Sequence, residues 1–279
     1  MYAENISKSF SNKKVLNEIN LEIGKGEIFG LLGSSGAGKT TLIKILTGQI
    51  KPDAGISYIN NIKSDELKDK DYCSFGIMMD NFGLYERLSC FDNLKIFARL
   101  YRIGNKNIYQ SLEAVGLLNA KNTVASKLSK GMKSRLRFAR VLMIDPNIIF
   151  LDEPTSGLDP ATAEEIQKLI LLEKNKGKTI FLTTHNMCEA EKLCNNIAML
   201  NDGQIVESGS PKEICRRYHH QKKLRIHLAN GSEKEISHDV KSADIIYKLM
   251  KDEMIETIHS TEPNLETVFM ELTGKELDI

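Results

Sequence analysis

GSSGAGKTT, from Gly33 to Thr41, fits the pattern G-x-x-x-x-G-K-[ST], with Gly33, Gly38, Lys39 and Thr40 at its fixed positions. Before it, EIFGLL (Glu27–Leu32) is a short apolar run that reads as a buried strand. After it, TLIKILTG (Thr41–Gly48) places Leu42, Ile45 and Leu46 at helical spacing and a glycine where a helix stops. Strand, glycine loop and helix are the context this pattern needs. Gly33, Gly36 and Gly38 have no side chains, so the backbone N–H groups of the loop, through Ser34, Ser35 and Ala37, can converge on phosphate oxygens. The helix that starts near Lys39 and Thr41 points its positive end at the same place. Lys39 is expected to reach the β- and γ-phosphates of a nucleotide, and Thr40 to offer its hydroxyl to Mg²⁺.

The bulk composition narrows the classes. The 279 residues suffice for one sizeable α/β domain and a small appendage. Lys and Arg number 38 against 37 Asp and Glu, a net charge of +1, which gives no basic excess to attract nucleic acid. Cys73, Cys90, Cys188, Cys194 and Cys215 are scattered and never spaced as C-x-x-C. They read as reduced thiols of a cytosolic protein, neither metal site nor disulfide frame. MYAENISKSF lacks the apolar core of a signal peptide. No apolar run approaches the ~18–20 residues that span a bilayer, so any work at a membrane needs another chain to cross it.

Along the chain, residues 1–28 alternate at Val15, Leu16, Ile19, Leu21 and Ile23 and suggest antiparallel strands beside the loop. ISYI and SFGIMM read as strands. Residues 84–146 turn helical: Ser89 is a plausible N-cap, a second helix covers about Asn107 to Val115, and a third starts near LSKGM. This block is expected to be a helical subdomain inserted into the sheet domain. NIIFLDEP (Asn147–Pro154) and KTIFLTTH (Lys178–His185) are near-continuous apolar strands, the pattern of burial on both faces. Pro160 suits the first turn of the helix between them. Asp202-Gly203 signals a hairpin. Alternating strands and helices imply an α/β fold with a parallel sheet. From about residue 216 the composition shifts. A second hairpin at Asn230-Gly231, a helix, a strand and a helix capped by Asn264 make 216–279 a small α+β appendage, distinct from 1–215.

Asp152 closes a buried strand, where ligands bind in open α/β sheets, and can hold Mg²⁺ opposite Thr40. Glu153 points elsewhere and can orient and deprotonate a water. Phosphoryl transfer needs positioning and charge neutralisation, and this set supplies both. His185 ends the next strand and should line the same edge, although a lone histidine is more often structural. Ser129 begins a helix, and with its neighbours makes a second positive helix end.

The order of these pieces resembles the ATPase subunit of ABC transporters over residues 1–215: phosphate loop, helical insert with LSKGM, IIFLDEP, SGLDP (Ser156–Pro160) and TTH. The resemblance implies a P-loop NTPase core with a helical and an antiparallel β subdomain, and ATP and Mg²⁺ as cofactors. It implies that Phe10 stacks on adenine and that Asp80 sits in the loop joining core to helical insert. It makes Ser129, Lys130 and Gly131 the signature motif, Asp159 the loop communicating between subunits, Glu153 the general base and His185 the switch histidine. It further implies a head-to-tail homodimer in which Ser129 of one copy completes the site built by Lys39 and Glu153 of the other.

Three positions depart from the family pattern: Asp80 replaces a usual glutamine, LSKGM replaces LSGGQ, and Phe10 replaces tyrosine. The family's glutamine contacts the metal. Asp80 is expected either to reach it through water and add charge, or to hang free of it with slower hydrolysis. TEPNLETVFMELTG (Thr261–Gly274) resembles the tail of bacterial ABC ATPases paired with a separate exporter permease for drugs, antibiotics or lipids. The resulting expectation is an ATP-hydrolysing exporter subunit at the inner face of the plasma membrane, bound to an integral-membrane permease. A soluble ABC ATPase of DNA repair or translation is disfavoured by the absence of long coiled coils and a second cassette. A non-hydrolysing regulator is disfavoured by Glu153 and His185.

Overall fold

The computed structural model describes residues 1–79, 83–218, 223–237, 239–260 and 263–274. The chain opens with two strands, β1 (Tyr2–Phe10) and β2 (Lys13–Glu22). Both bury alternate apolar residues, among them Ala3, Ile6, Leu16, Ile19 and Leu21, and expose the polar ones between. They pair antiparallel, and β4 (Ala54–Ile59) and β5 (Ile62–Lys63) extend them into a sheet ordered β2-β1-β4-β5.

A second sheet holds the centre of the first unit. Its strands are β3 (Ile28–Leu32), β6 (Phe75–Met78), β7 (Ile148–Asp152), β8 (Thr179–Thr184), β9 (Asn196–Asn201) and β10 (Gln204–Gly209), ordered β10-β9-β3-β8-β7-β6. Every residue of β3, β7 and β8 is buried, as continuous apolar runs require of a parallel sheet covered on both faces. Phe29, Phe181, Phe150 and Phe75 run side by side across four neighbouring strands, with ring centroids 5.8–6.0 Å apart. Such rings add specific packing to the area they bury. Asp202 and Gly203 both have positive φ, 46° and 80°, as the two-residue hairpin between β9 and β10 demands.

The parallel strands are joined by helices: α1 (Lys39–Leu46) after β3, and α5 (Pro160–Asn175) between β7 and β8. α6 (Met187–Leu193) follows β8. Between β6 and β7 lie α2 (Cys90–Leu100), α3 (Asn105–Ala114) and α4 (Lys130–Leu142), which pack on one another. Ser89 caps α2, its hydroxyl accepting from the Asp92 N–H at 3.0 Å.

The register fixes the working edge. Asp152 pairs with Thr183 and Leu32 with Thr184, so β3, β7 and β8 end together. The loop after β3, Glu153 after β7 and His185 after β8 leave from that common edge.

The chain divides between Ser210 and Pro211. The second unit contains α7 (Pro211–Arg217), β11 (Lys223–Leu228), β12 (Glu233–Ser237), α8 (Val240–Lys251), β13 (Ile255–Ser260) and α9 (Leu265–Thr273). Its antiparallel sheet is ordered β12-β11-β13. Ile226, Leu228 and Ile236 form its core, with Ile246 and Leu249 of α8 packed against them. Asn264 caps α9 in a reciprocal capping box with Thr267. Among the described residues no helix is long and apolar enough to cross a membrane.

Candidate functional site: a nucleotide cleft at the sheet edge

The loop from Gly33 to Gly38 turns the chain from β3 into α1. Gly38, the N-cap of α1, has φ 113°, and a side chain there would also strike the Val15 carbonyl and Leu16. A methyl at Gly33 would collide with the Leu200 carbonyl. No side chain caps α1 and its first turn carries no acidic residue. The first N–H groups of the helix therefore remain for an anion.

These elements frame a cleft of about 320 Å³, bounded by Ser34, Ser35, Gly36, Gly38, Lys39, Thr40 and Thr41 on one side and Asp152, Glu153 and His185 on the other. Lys39 is buried, and its Nζ donates to the carbonyls of Gly33 at 2.7 Å and Ser34 at 3.2 Å. It also lies 3.0 Å from Glu153 Oε1. Thr40 Oγ1 donates to Asp152 Oδ2 at 2.7 Å, and Thr183 Oγ1 donates to Asp152 Oδ1. A hydroxyl and a carboxylate in contact are the hard oxygen donors that Mg²⁺ takes. Glu153 has φ 50°, a left-handed backbone that turns its carboxylate away from that of Asp152. His185 Nδ1 sits 2.7 Å from Glu153 Oε2, and the His185 N–H donates to the same oxygen at 3.4 Å. Glu153 is thus held from two sides, by Lys39 and by His185.

The family description "ABC transporter" fits residues 16–156. The fluoroquinolones export ATP-binding protein Rv2688c of Mycobacterium tuberculosis (strain ATCC 25618 / H37Rv) is 40% identical over 260 residues, which cover 91% of this chain and 86% of that one. The chain belongs to the ABC transporter family. It is an ABC ATPase, a P-loop NTPase of the transporter type. The probable multidrug ABC transporter ATP-binding protein YbhF of Escherichia coli (strain K12) is 37% identical over 216 residues, covering 76% of this chain and 37% of that one. Among solved structures, the dimeric post-hydrolysis state of the ATP-binding cassette MJ0796 bound to ADP and Pi aligns with TM-score 0.67 and 29% identity. That match covers 75% of this chain and 97% of the other.

Within this ABC ATPase, several expected site residues lie away from the cleft. Phe10 ends β1, 48% exposed, with Lys8 Nζ 5.6 Å from its ring centroid, and does not line the cleft. Ser129 caps α4, its hydroxyl accepting from the Met132 N–H at 3.2 Å. Gly131 lies where α4 meets α5, and a methyl there would strike Thr162. Lys130 Nζ lies over Gly157, and Lys130 borders a smaller recess with Lys133 and Arg137, on whose other side stand Asp152 and Glu153. Asp159 caps α5, accepting from the Thr162 N–H at 3.0 Å. The Thr162 hydroxyl and that N–H hold its carboxyl below the usual carboxylate range. Asp80 lies outside the described residues.

Sequence reasoning missed three participants. Val15 lines the cleft because the β1–β2 hairpin folds back over the loop. Thr183 reaches Asp152 through strand register. Ser156 lines the cleft two residues beyond Pro154. The TTH strand end was the one available signal for Thr183. Pairing across the sheet supplied the rest.

Proposed function

We propose that this ABC ATPase powers export of a drug- or antibiotic-like substrate through a separate integral-membrane permease, as a homodimer at the inner face of the plasma membrane. The export reading is supported by the relative named for fluoroquinolone export, whose match spans 91% of the chain and so runs well beyond the cassette. In this reading the N–H groups of the Gly33–Gly38 loop and Lys39 hold the phosphates of ATP. Thr40 and Asp152 hold Mg²⁺, which neutralises phosphate charge when bound. Glu153 takes the proton of the attacking water, and His185 keeps the Glu153 carboxylate aimed. Phe10 stacks on adenine. Ser129, Lys130 and Gly131 close on the phosphates bound by the opposite copy, and Asp159 meets that copy beside them. Asp80, which replaces the family's usual glutamine, would reach the metal through water.

The contact that carries the catalytic assignment is the Lys39–Glu153 pair, at 3.0 Å. A γ-phosphate competes with Glu153 for the same ammonium. Nucleotide entry therefore frees Glu153 to bind water at the moment the phosphate is in place. Removing the phosphate restores the original pair. Each ATP contacts both copies, so binding closes the dimer and hydrolysis reopens it, which drives the permease.

Glu153→Gln keeps the shape and removes the base. Its ATP turnover is expected to fall ~10²–10⁴-fold, the range for a lost general base. Nucleotide binding should persist, and the ATP-bound dimer should accumulate. Turnover near that of the wild type would overturn the assignment of the base.

A further inference from the structure

Glu189 is a carboxylate that the mechanism above leaves unused, and it is 1% exposed. It lies on α6, four residues after His185. Its Oε1 accepts from Thr155 Oγ1 at 2.7 Å, and Thr155 lies two residues after Glu153. Neither Glu189 nor Thr155 lines the nucleotide cleft.

These contacts close a ring. Glu153 meets His185 at 2.7 Å. His185 leads into α6, whose start is fixed by Asn186: its side chain accepts from the Glu189 N–H at 3.0 Å, and its own N–H donates to Thr184 Oγ1 at 3.0 Å. Glu189 returns to Thr155, and the turn from Thr155 back to Glu153 is tied by the Ser156 N–H donating to the Glu153 carbonyl at 3.2 Å. The turn also receives Ser134 Oγ on the Pro154 carbonyl at 3.2 Å. Glu153 itself sits in left-handed backbone, a conformation that persists only where its surroundings hold it. Glu189–Thr155 is a part-buried side-chain tie between the segment carrying Glu153 and the helix that follows His185.

We infer that Glu189 is a positioning residue for hydrolysis: through Thr155 it locks the Glu153 turn to the His185 segment and so sets the geometry of the Glu153–His185 pair. The inference rests on the assignment of Glu153 as base. Burial drives the Glu189 carboxyl above its ordinary value, opposed by the Thr155, Thr184 and Gln167 side chains, and the neighbouring Glu153 charge adds to the rise. Thr155 Oγ1 donates to this side chain, and the amide oxygen of Gln can accept the same bond.

The test uses the full chain with Glu189→Ala, Thr155→Val, the double variant, Glu189→Gln and Glu153→Gln. Steady-state ATP hydrolysis, fluorescent ADP binding and thermal unfolding are read for each. Glu189→Ala and Thr155→Val should each lower kcat by about 10- to 100-fold, the scale of a small misplacement of a reacting group. ADP affinity should stay within about twofold, since the tie acts on the chemical step rather than on binding. The double variant should be no worse than the poorer single one, because both remove one contact. Glu189→Gln, which keeps a partner for Thr155, should restore kcat. Unchanged kcat in folded Glu189→Ala would overturn the inference. So would additive losses in the double variant, or kcat and ADP affinity falling together. Glu153→Gln separates the two readings: normal turnover there sinks the base assignment, whereas an inactive Glu153→Gln beside an unimpaired Glu189→Ala sinks only the positioning role.

Discussion

Glu153 illustrates how a residue acquires a role from what surrounds it. The sequence places two carboxylates at a strand end and points them in different directions; what holds each one there comes from the fold. Asp152 continues β7, is buried, and gives both oxygens to hydroxyls of Thr40 and Thr183. Glu153 leaves the strand with positive φ and faces Lys39 and His185. Asp152 is fixed by two hydroxyls, and Glu153 is held between Lys39 and His185. Glu189 shows the same dependence on surroundings in its protonation. Burial raises its folded-state value above the ordinary 4.5, so the folded chain holds that proton more tightly than the unfolded one. Its contribution to stability is present below about 4.5 and is lost as pH rises through the raised value. Gln cannot ionise. Glu189→Gln should therefore gain stability over the wild type as pH climbs from about 4.5 through the raised value, then level off. Urea unfolding across that range checks this, and a constant gap between the two proteins would contradict it.

At the scale of elements, much of the fold is legible because burial on both faces leaves a simple mark. EIFGLL, NIIFLDEP and KTIFLTTH each become a wholly buried parallel strand. The caps expected at Ser89 and Asn264 lie at helix starts with the side-chain bonds their chemistry favours, and Asp159 caps α5, which sequence reasoning missed. What could not be read is whatever depends on one element meeting another far away in sequence. Val15 at the cleft, Thr183 on Asp152 and Glu189 on Thr155 are all products of such meetings. Gly131 belongs with them. The sequence offers it as part of an anion-binding helix start, and the structure adds that α4 and α5 touch there. Gly131→Ala should lose about 1–3 kcal/mol of stability, the usual cost of overpacking. Thr162→Ser removes the methyl that the new side chain strikes and keeps the hydroxyl beside Asp159. Adding it to Gly131→Ala should recover most of the loss in a denaturant titration. A double variant no more stable than Gly131→Ala alone would place the strain elsewhere.

At the scale of the whole molecule, the division of residues between cleft and periphery is informative. Lys39, Thr40, Asp152, Glu153 and His185 gather in one cleft of one chain. Ser129 does not line it. Ser129 acting on nucleotide must therefore act on the nucleotide of another copy. A two-fold pairing makes each site a composite of both chains. The most direct measurement is a mixing experiment with Lys39→Ala and Ser129→Arg, each purified and each expected to be inactive alone. A mixed dimer contains one site with both substitutions and one with neither. The mixture should regain ATP hydrolysis well above either component. A mixture no more active than its parts, with mixed dimers demonstrably formed, would contradict it.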